Sequence, residues 1–158
     1  MSPSAKAVRE SQVRMTELLL PTHTNALDTA FGGVIMSWID ICAAIAAQRH
    51  AGCQVVTASI DALNFVAPVK KGWVVNLFAS VNRAFRSSME IGVRVDAENP
   101  ISGQNLHTAT AYLTFVALDD LSKKREVPKI IAETQEEKRR YEEAQRRRQL
   151  RLQYIKTT

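Results

Sequence analysis

One long apolar stretch dominates the hydrophobic pattern of this chain. Residues 34–47 read V-I-M-S-W-I-D-I-C-A-A-I-A-A, so a single carboxylate, Asp40, stands in the middle of an almost wholly apolar run. A helix that is apolar on every side is a buried helix. The pattern therefore predicts a central buried helix from about Gly32 to His50, and Gly52 suits its C-terminal end.

The remaining pattern predicts strands before and after this helix. Residues 12–20 form a first strand-like run, which Pro21 ends. Four later runs are rich in β-branched and aromatic residues and are bounded by turns, as is typical of strands: 55–66, 73–85, 88–96 and 106–118. One helix and five strands joined by short turns predict an antiparallel α+β domain whose sheet wraps around the helix.

Proline and charge mark the domain boundaries. Pro128 closes the strand region, and residues 133–151 predict a charged helix because Glu and Arg recur four positions apart. The predicted organisation is a mobile N-terminal arm over 1–11, a folded domain over 12–128 and a charged helical tail over 129–158.

Composition and charge limit the classes of protein to consider. The chain has 158 residues, of which 46% are hydrophobic and 23% charged, as in an ordinary folded domain. Residues 5–16 carry four charges and no apolar signal-peptide core, and the run over 34–47 is too short to span a bilayer. We therefore expect a cytoplasmic protein without a membrane span, in which Cys42 and Cys53 are free thiols.

The basic tail leaves two interpretations open. The net charge is +5, and residues 131–158 hold eight Lys or Arg against five Glu. Such a tail favours a polyanionic partner, but a solvated amphipathic helix has the same composition. We expect no nucleic acid as that partner, because the chain has no helix-turn-helix pattern and no interleaved basic and aromatic residues.

Metal and phosphate motifs are missing from the sequence. His23, His50 and His107 do not have the spacing of metal ligands, and no Cys/His cluster occurs. No P-loop or dinucleotide fingerprint is present. We expect neither a metal site nor a cofactor.

The apolar helix contains the residues best suited to chemistry. At 3.6 residues per turn, Asp40 shares one helix face with small residues, namely Gly33, Ser37, Ala44 and Ala47. A charge away from water is costly unless it is paired or used, and residues 34–48 hold no Lys or Arg to pair with it. We interpret Asp40 as a functional acid, with close packing of another helix on the small residues as the alternative.

The helix also opens on Phe31-Gly32-Gly33, where backbone N–H groups at the positive end of the helix dipole can approach a ligand. An acid and an uncapped helix start together suggest chemistry on a polarised carbonyl. Asn25 lies in the preceding loop, where an Asn is by itself typical of a turn or cap.

Several short motifs, taken together, resemble one enzyme family. They are P-T-H-T-N at 21–25, F-G-G at 31–33, M-S-W-I-D at 36–40, V-T at 56–57, Phe65 with P-V at 68–69, and R-S-S-M-E-I at 86–91. In this order and spacing they resemble the hotdog-fold acyl-CoA thioesterases, in particular the brain-type acyl-CoA hydrolase branch and its bacterial relatives. The resemblance implies a hotdog fold: an antiparallel sheet wrapped around one long central helix, here followed by a charged C-terminal helix.

Two positions depart from that family. Asp28 and Phe85 stand where it often has glycine. Asp tolerates the left-handed backbone region and Phe does so poorly, so we expect the turn at Phe85 to be shaped differently. This departure concerns substrate preference more than catalysis.

The resemblance implies an enzyme that hydrolyses acyl-CoA to a free fatty acid and coenzyme A. It implies Asp40 as general base, or as nucleophile in a variant mechanism, with Asn25 contributed by the partner protomer. The backbone N–H of Gly33 would help to stabilise the oxyanion. Candidates for substrate and coenzyme A binding are Arg86, Ser87, Ser88, Phe65, Arg83 and Arg147.

The resemblance also implies an oligomer, with a dimer as the minimal active unit and a hexamer built from three dimers. A nucleotide is a possible regulator, because some bacterial relatives respond to nucleotides. The alternative function is a non-catalytic hotdog module that binds acyl-CoA or a nucleotide as a regulatory ligand. A hydratase or dehydratase is disfavoured, because those enzymes use a His with a second acid and the apolar helix supplies none.

Overall fold

The computed structural model describes residues 4–157 and shows a sheet curled around a central helix. Its strands are β1 (Lys6–Ala7), β2 (Val13–Leu18), β3 (Gln54–Ile60), β4 (Asn64–Phe65), β5 (Val74–Ala84), β6 (Ser88–Glu98), β7 (Asn105–Leu118) and β8 (Ile130–Ile131); its helices are α1 (Gly32–Ala51) and α2 (Gln135–Thr157). The main sheet is antiparallel in the order β2-β5-β6-β7-β3, with β4 also paired to β7. The predicted hotdog architecture is confirmed.

Local signals place α1 where the sequence predicts it. The helix ends at Gly52, whose φ of 66° lies in the left-handed region and whose N–H bonds to the carbonyl of Gln48. One predicted strand is divided: the run over 55–66 forms β3 and the short β4, with residues 61–63 between them.

The core lies between one side of α1 and the inner face of the sheet. Ile35, Ile39 and Cys42 are buried on the helix, and alternate residues of the sheet such as Ile91 and Leu113 are buried against it. Each large apolar side chain buried in this way contributes about 1.5–3 kcal/mol to folding.

The other side of α1 is not covered by its own chain. Met36 is 40% exposed and Ile41 is 50% exposed, so the prediction of a helix buried on every side is wrong for the single chain. The physical reason is that one curled sheet covers only one face of a helix. The apolar side chains on the second face of α1 would be buried only by contact with another surface.

The N-terminal residues are part of the fold. β1 pairs in parallel with β8, and Val8 and Ser11 in the following 3-10 turn are buried. The Ser11 hydroxyl donates to the carbonyl of Val8 (2.7 Å) and accepts from the N–H of Val81 (2.9 Å). Residues 6–11 therefore do not form the mobile arm that the sequence predicts, and residues 1–3 of that arm lie outside the described residues.

The C-terminal helix α2 packs on the outer face of the sheet through a buried ion pair. Glu90 on β6 is fully buried, and Arg147 donates to its Oε1 at 2.7 Å. Asn82 also donates to this carboxylate (3.0 Å), and the Arg147 guanidinium lies 3.6 Å from the centroid of the Tyr112 ring. The charged tail is thus attached to the domain by α2 arginines.

Loss of Arg147 should destabilise the fold. We expect Arg147→Met to lower the free energy of unfolding by about 3 kcal/mol, because it leaves the Glu90 carboxylate buried without its counter-charge. Adding Glu90→Gln should recover part of this loss by removing that charge. Denaturant unfolding of the full chain measures both, with the exposed Arg146→Met as control. A change within about 0.5 kcal/mol for Arg147→Met would contradict the assignment.

Stability should also depend on pH through His50. The ring is fully buried at the end of α1, with Nε2 2.7 Å from the carbonyl of Pro128, and burial lowers its pKa. The unfolded chain therefore takes up a proton at a higher pH than the folded chain. The contribution of His50 to the free energy of unfolding is therefore complete above about pH 6.5, the usual pKa of histidine, and decreases as the pH is lowered from there.

The variant His50→Gln removes this titration, so its melting temperature should fall less between pH 7 and pH 5 than that of the wild type. Scanning calorimetry at both pH values provides the comparison, with the partly exposed His107→Gln as control. An equal fall in wild type and His50→Gln would contradict the role of His50.

Candidate active site

Asp40 has one side-chain partner within the described residues. It is half-buried on α1, and its Oδ1 accepts a hydrogen bond from the Thr57 hydroxyl on β3 at 2.7 Å. None of the ion pairs in residues 4–157 involves Asp40. The carboxylate is thus held at one oxygen by a neutral donor, which leaves the second oxygen available to take a proton.

Thr57 is a site residue that sequence reasoning missed. It appeared only within the V-T motif, because a threonine in a strand is ordinarily a packing residue. The register of β3 against β7 shifts between Thr57 and Ser59, so Ala58 is an extra residue in the strand. Such a bulge bends a strand and redirects its side chains, and only the three-dimensional register reveals it.

The Asn25 side chain organises the loop before α1. Its Oδ1 accepts hydrogen bonds from the N–H groups of Leu27 (2.9 Å) and Thr29 (3.2 Å), and its Nδ2 donates to the Thr29 hydroxyl (3.0 Å). Asp28 adopts a φ of 57°, in the left-handed region that Asp tolerates. The loop therefore holds the Asn25 amide in a fixed orientation.

This loop is fixed to the start of α1. The His23 ring packs edge-on against Trp38 with 5.1 Å between centroids, and its Nδ1 accepts from the N–H of Leu20 (3.0 Å). The Phe31 N–H donates to the carbonyl of His23 (3.0 Å). Asn25 and Asp40, by contrast, form no hydrogen bond with each other within the described residues.

The N-terminus of α1 is open. Phe31 precedes the helix and its side chain forms no cap, and a Cβ built at Gly33 would meet no atom within 4 Å. The Phe65 ring lies beside Gly32, 3.5 Å from the position of a Cβ there. Phe65 and Gly32 are also at the wall of a cavity of about 380 Å³. Gly33 is exposed, so the start of α1 is open to a ligand at this residue.

The candidate coenzyme A residues are placed differently from one another. Arg86 is exposed and pairs with Glu126 at 3.2 Å; it lies in the turn with Ser87, directly before Ser88 at the start of β6. Arg83 donates to the carbonyl of Tyr141 (3.2 Å), so this side chain supports α2.

Arg147 is bound to the buried Glu90, as described above. The geometry therefore gives Arg83 and Arg147 structural contacts and does not support the predicted role in coenzyme A binding.

The turn at Phe85 contains a backbone hydrogen bond, and the Phe85 side chain contacts α2. Phe85 lies outside the left-handed region, and its N–H donates to the carbonyl of Ser88 (2.8 Å). Its ring lies 4.1 Å from the Arg148 guanidinium and 5.8 Å from that of Arg83. The side chain thus helps to bind α2, which a glycine there cannot do.

Other potentially reactive groups are less suited to catalysis than Asp40. Burial raises the pKa of the Cys42 thiol to about 11, so this cysteine is protonated at neutral pH and is a poor nucleophile. In the described part of the chain, no three His, Cys, Asp or Glu side chains are grouped to hold a metal ion. Neither helix of residues 4–157 has the length and apolar character needed to cross a membrane.

Comparisons with known proteins find a matching family profile and similar chains. Residues 27–103 match the family profile described as the thioesterase superfamily. The Bacillus subtilis protein YkhA, named an uncharacterized acyl-CoA thioester hydrolase, is 40% identical over 136 residues, which are 86% of this chain and 79% of that protein. Acyl-coenzyme A thioesterase 11 of the mouse is 43% identical over 93% of this chain, but the chain spans only 25% of its length.

Solved structures extend the likeness to the whole fold. An apo-hexameric acyl-CoA thioesterase has a TM-score of 0.93 at 39% identity, over 96% of this chain and 97% of that one. An acyl-CoA hydrolase from Staphylococcus aureus, in complex with butyryl coenzyme A, coenzyme A and coenzyme A disulfide, has a TM-score of 0.88 at 39% identity, over 97% and 96%. Variants of that hydrolase with alanine in place of an aspartate, an asparagine or a threonine are also solved.

Proposed function

Because this chain belongs to the thioesterase superfamily, we propose that it hydrolyses acyl-CoA thioesters to a carboxylic acid and coenzyme A. The observation that carries the proposal is the unpaired carboxylate of Asp40, held by Thr57 on an accessible helix face. In the S. aureus hydrolase, the replaced aspartate lies 15 positions after the replaced asparagine, and the replaced threonine lies 17 positions after that aspartate. Asn25, Asp40 and Thr57 have the same separations in this chain.

The proposed reaction begins with a water molecule at the free oxygen of Asp40. The carboxylate accepts a proton from the water as its oxygen attacks the thioester carbonyl. The carbonyl oxygen gains charge and accepts hydrogen bonds from the Gly33 backbone N–H and the Asn25 amide. The C–S bond then breaks, and the coenzyme A thiolate leaves with the proton from Asp40.

We propose that each site is shared by two protomers. In one chain, Asn25 is bound within its own loop and forms no hydrogen bond to Asp40 among the described residues. The face of α1 that carries Asp40 also exposes Met36 and Ile41, and the edge strand β3 exposes Val56. A second copy would cover these apolar groups and bring its Asn25 to the acid. The hexameric thioesterase of the same fold supports assembly of such dimers into a hexamer.

Arg86 is the proposed contact for the coenzyme A phosphates, because it is exposed and its partner Glu126 is exposed as well. Phe65 is proposed to contact the substrate beside the start of α1. The comparisons do not support a nucleotide regulator, so none is proposed. A cytoplasmic location and the absence of a cofactor stay predictions.

Replacement of Asp40 tests the proposed reaction. Asp40→Asn keeps the size and the contact with Thr57 but removes the proton acceptor, so kcat/KM for butyryl-CoA should fall about 10²–10⁴-fold. Release of free thiol measures the rate. The exposed Asp28→Asn is the matched control and should keep full activity, since Asn also tolerates the left-handed region. An Asp40→Asn rate near that of the wild type would exclude Asp40 as the base.

A separate prediction concerns Thr57. Thr57→Val keeps the shape of the side chain and removes its donor, so the carboxylate loses its fixed orientation. We expect kcat to fall about tenfold with little change in KM, the loss of one hydrogen bond to a charged group. Thr57→Ser should restore the rate, and the exposed Thr110→Val should match the wild type. Equal kcat values for Thr57→Val and the wild type would show that the contact does not serve catalysis.

A further inference from the structure

A fully buried hydroxyl without a partner marks the wall of the cavity near α1. Thr108 on β7 has no exposed surface, and its Oγ1 has no hydrogen-bonding partner among the described residues. Buried polar groups are almost always hydrogen-bonded in folded proteins, because desolvation without a partner is unfavourable. An unpaired hydroxyl in this position is a reason to look for a ligand.

Thr108 lies at a β-bulge in β7. Val95 pairs with Ala109, but the next residue of β6, Asp96, pairs with His107, which leaves Thr108 as an extra residue. In a regular strand, Thr108 would alternate with Ala109 and share the outer face with Thr110. Instead it is buried together with Ala109. Bulges redirect side chains in this way and are frequent beside active sites.

The surroundings of Thr108 are apolar. The cavity of about 380 Å³ is lined mainly by apolar side chains, among them Ile35, Phe65 and Val69. Thr29 is the other hydroxyl residue at the wall, and its Oγ1 is bonded to Asn25. Among the lining residues, Thr108 therefore supplies the one unpartnered hydrogen-bonding side chain, in a cavity that begins beside Gly32.

We propose that this cavity accepts the acyl chain of the substrate and that the Thr108 hydroxyl bonds to a hydroxyl group on that chain. The inference rests on the proposed function and adds a substrate class, the hydroxyacyl-CoA thioesters. A wall with one unpartnered hydrogen-bonding side chain fits an apolar chain that carries one hydroxyl. The pantetheine arm of coenzyme A, with two amides, would need several partners.

The test compares matched substrates on matched variants. The substrates are hexanoyl-CoA and its derivatives with one hydroxyl at carbon 3, 4, 5 or 6, and the readout is kcat/KM from thiol release. The variants are Thr108→Val, which removes only the hydroxyl, and Thr108→Ser, which retains it. Thr114→Val is the control, because Thr114 is a second buried, unpartnered threonine on β7 that does not line the cavity.

We expect the wild type to prefer at least one hydroxylated substrate over hexanoyl-CoA by about five- to tenfold, the value of one neutral hydrogen bond. Thr108→Val should lose this preference, measured within each variant as the ratio of kcat/KM on the hydroxylated substrate to kcat/KM on hexanoyl-CoA, and Thr108→Ser and Thr114→Val should keep it. The inference is overturned if the wild type prefers no hydroxylated substrate, or if the preference survives in Thr108→Val. Inactivity of the wild type on every acyl-CoA would instead overturn the proposed function.

Discussion

The hydrogen bond from Thr57 to Asp40 joins the edge strand of the sheet to the uncovered face of the central helix, and the proposed site depends on it. A carboxylate among apolar residues is stable only if it is paired, hydrogen-bonded or open to water. Here one neutral donor fixes one oxygen and no cation of the described chain neutralises the charge. The Asp40 carboxylate is therefore oriented by this hydrogen bond but keeps its charge and one free oxygen. The same open face exposes the apolar side chains of Met36 and Ile41. The face that leaves Asp40 accessible therefore also presents an apolar surface that a second protomer would cover.

A second acid, Glu90, has the opposite environment, because a cation neutralises its charge. It is fully buried, and Arg147 and Asn82 bind it. The alternation along β6 places Glu90 on the face opposite Met89 and Ile91, and α2 covers that outer face. The pattern cannot show that a helix more than fifty residues later covers that face. Burial alone thus does not identify a reactive acid, because the partners of the carboxylate decide its role.

Sequence patterns were sufficient where structure is decided locally. The apolar run and Gly52 predicted α1, and the tolerance of Asp for left-handed backbone agreed with the φ of Asp28. Features that depend on contacts between distant segments were not predictable. The role of Thr57 depends on a bulge in β3, and the contact of Phe85 with Arg148 depends on where α2 lies. The N-terminal residues looked like an arm because their partner β8 is far along the chain.

Subunit mixing tests most directly whether each site is shared by two protomers. Asn25→Ala and Asp40→Asn protomers, each inactive when purified alone, would be co-expressed with different affinity tags and the mixed oligomer isolated. If each site takes Asn25 from one protomer and Asp40 from its partner, each mixed dimer should recover about half of the wild-type activity, because one of its two sites contains both residues. Mixed oligomers as inactive as either parent would contradict the account, since a site within one protomer can never be restored by mixing.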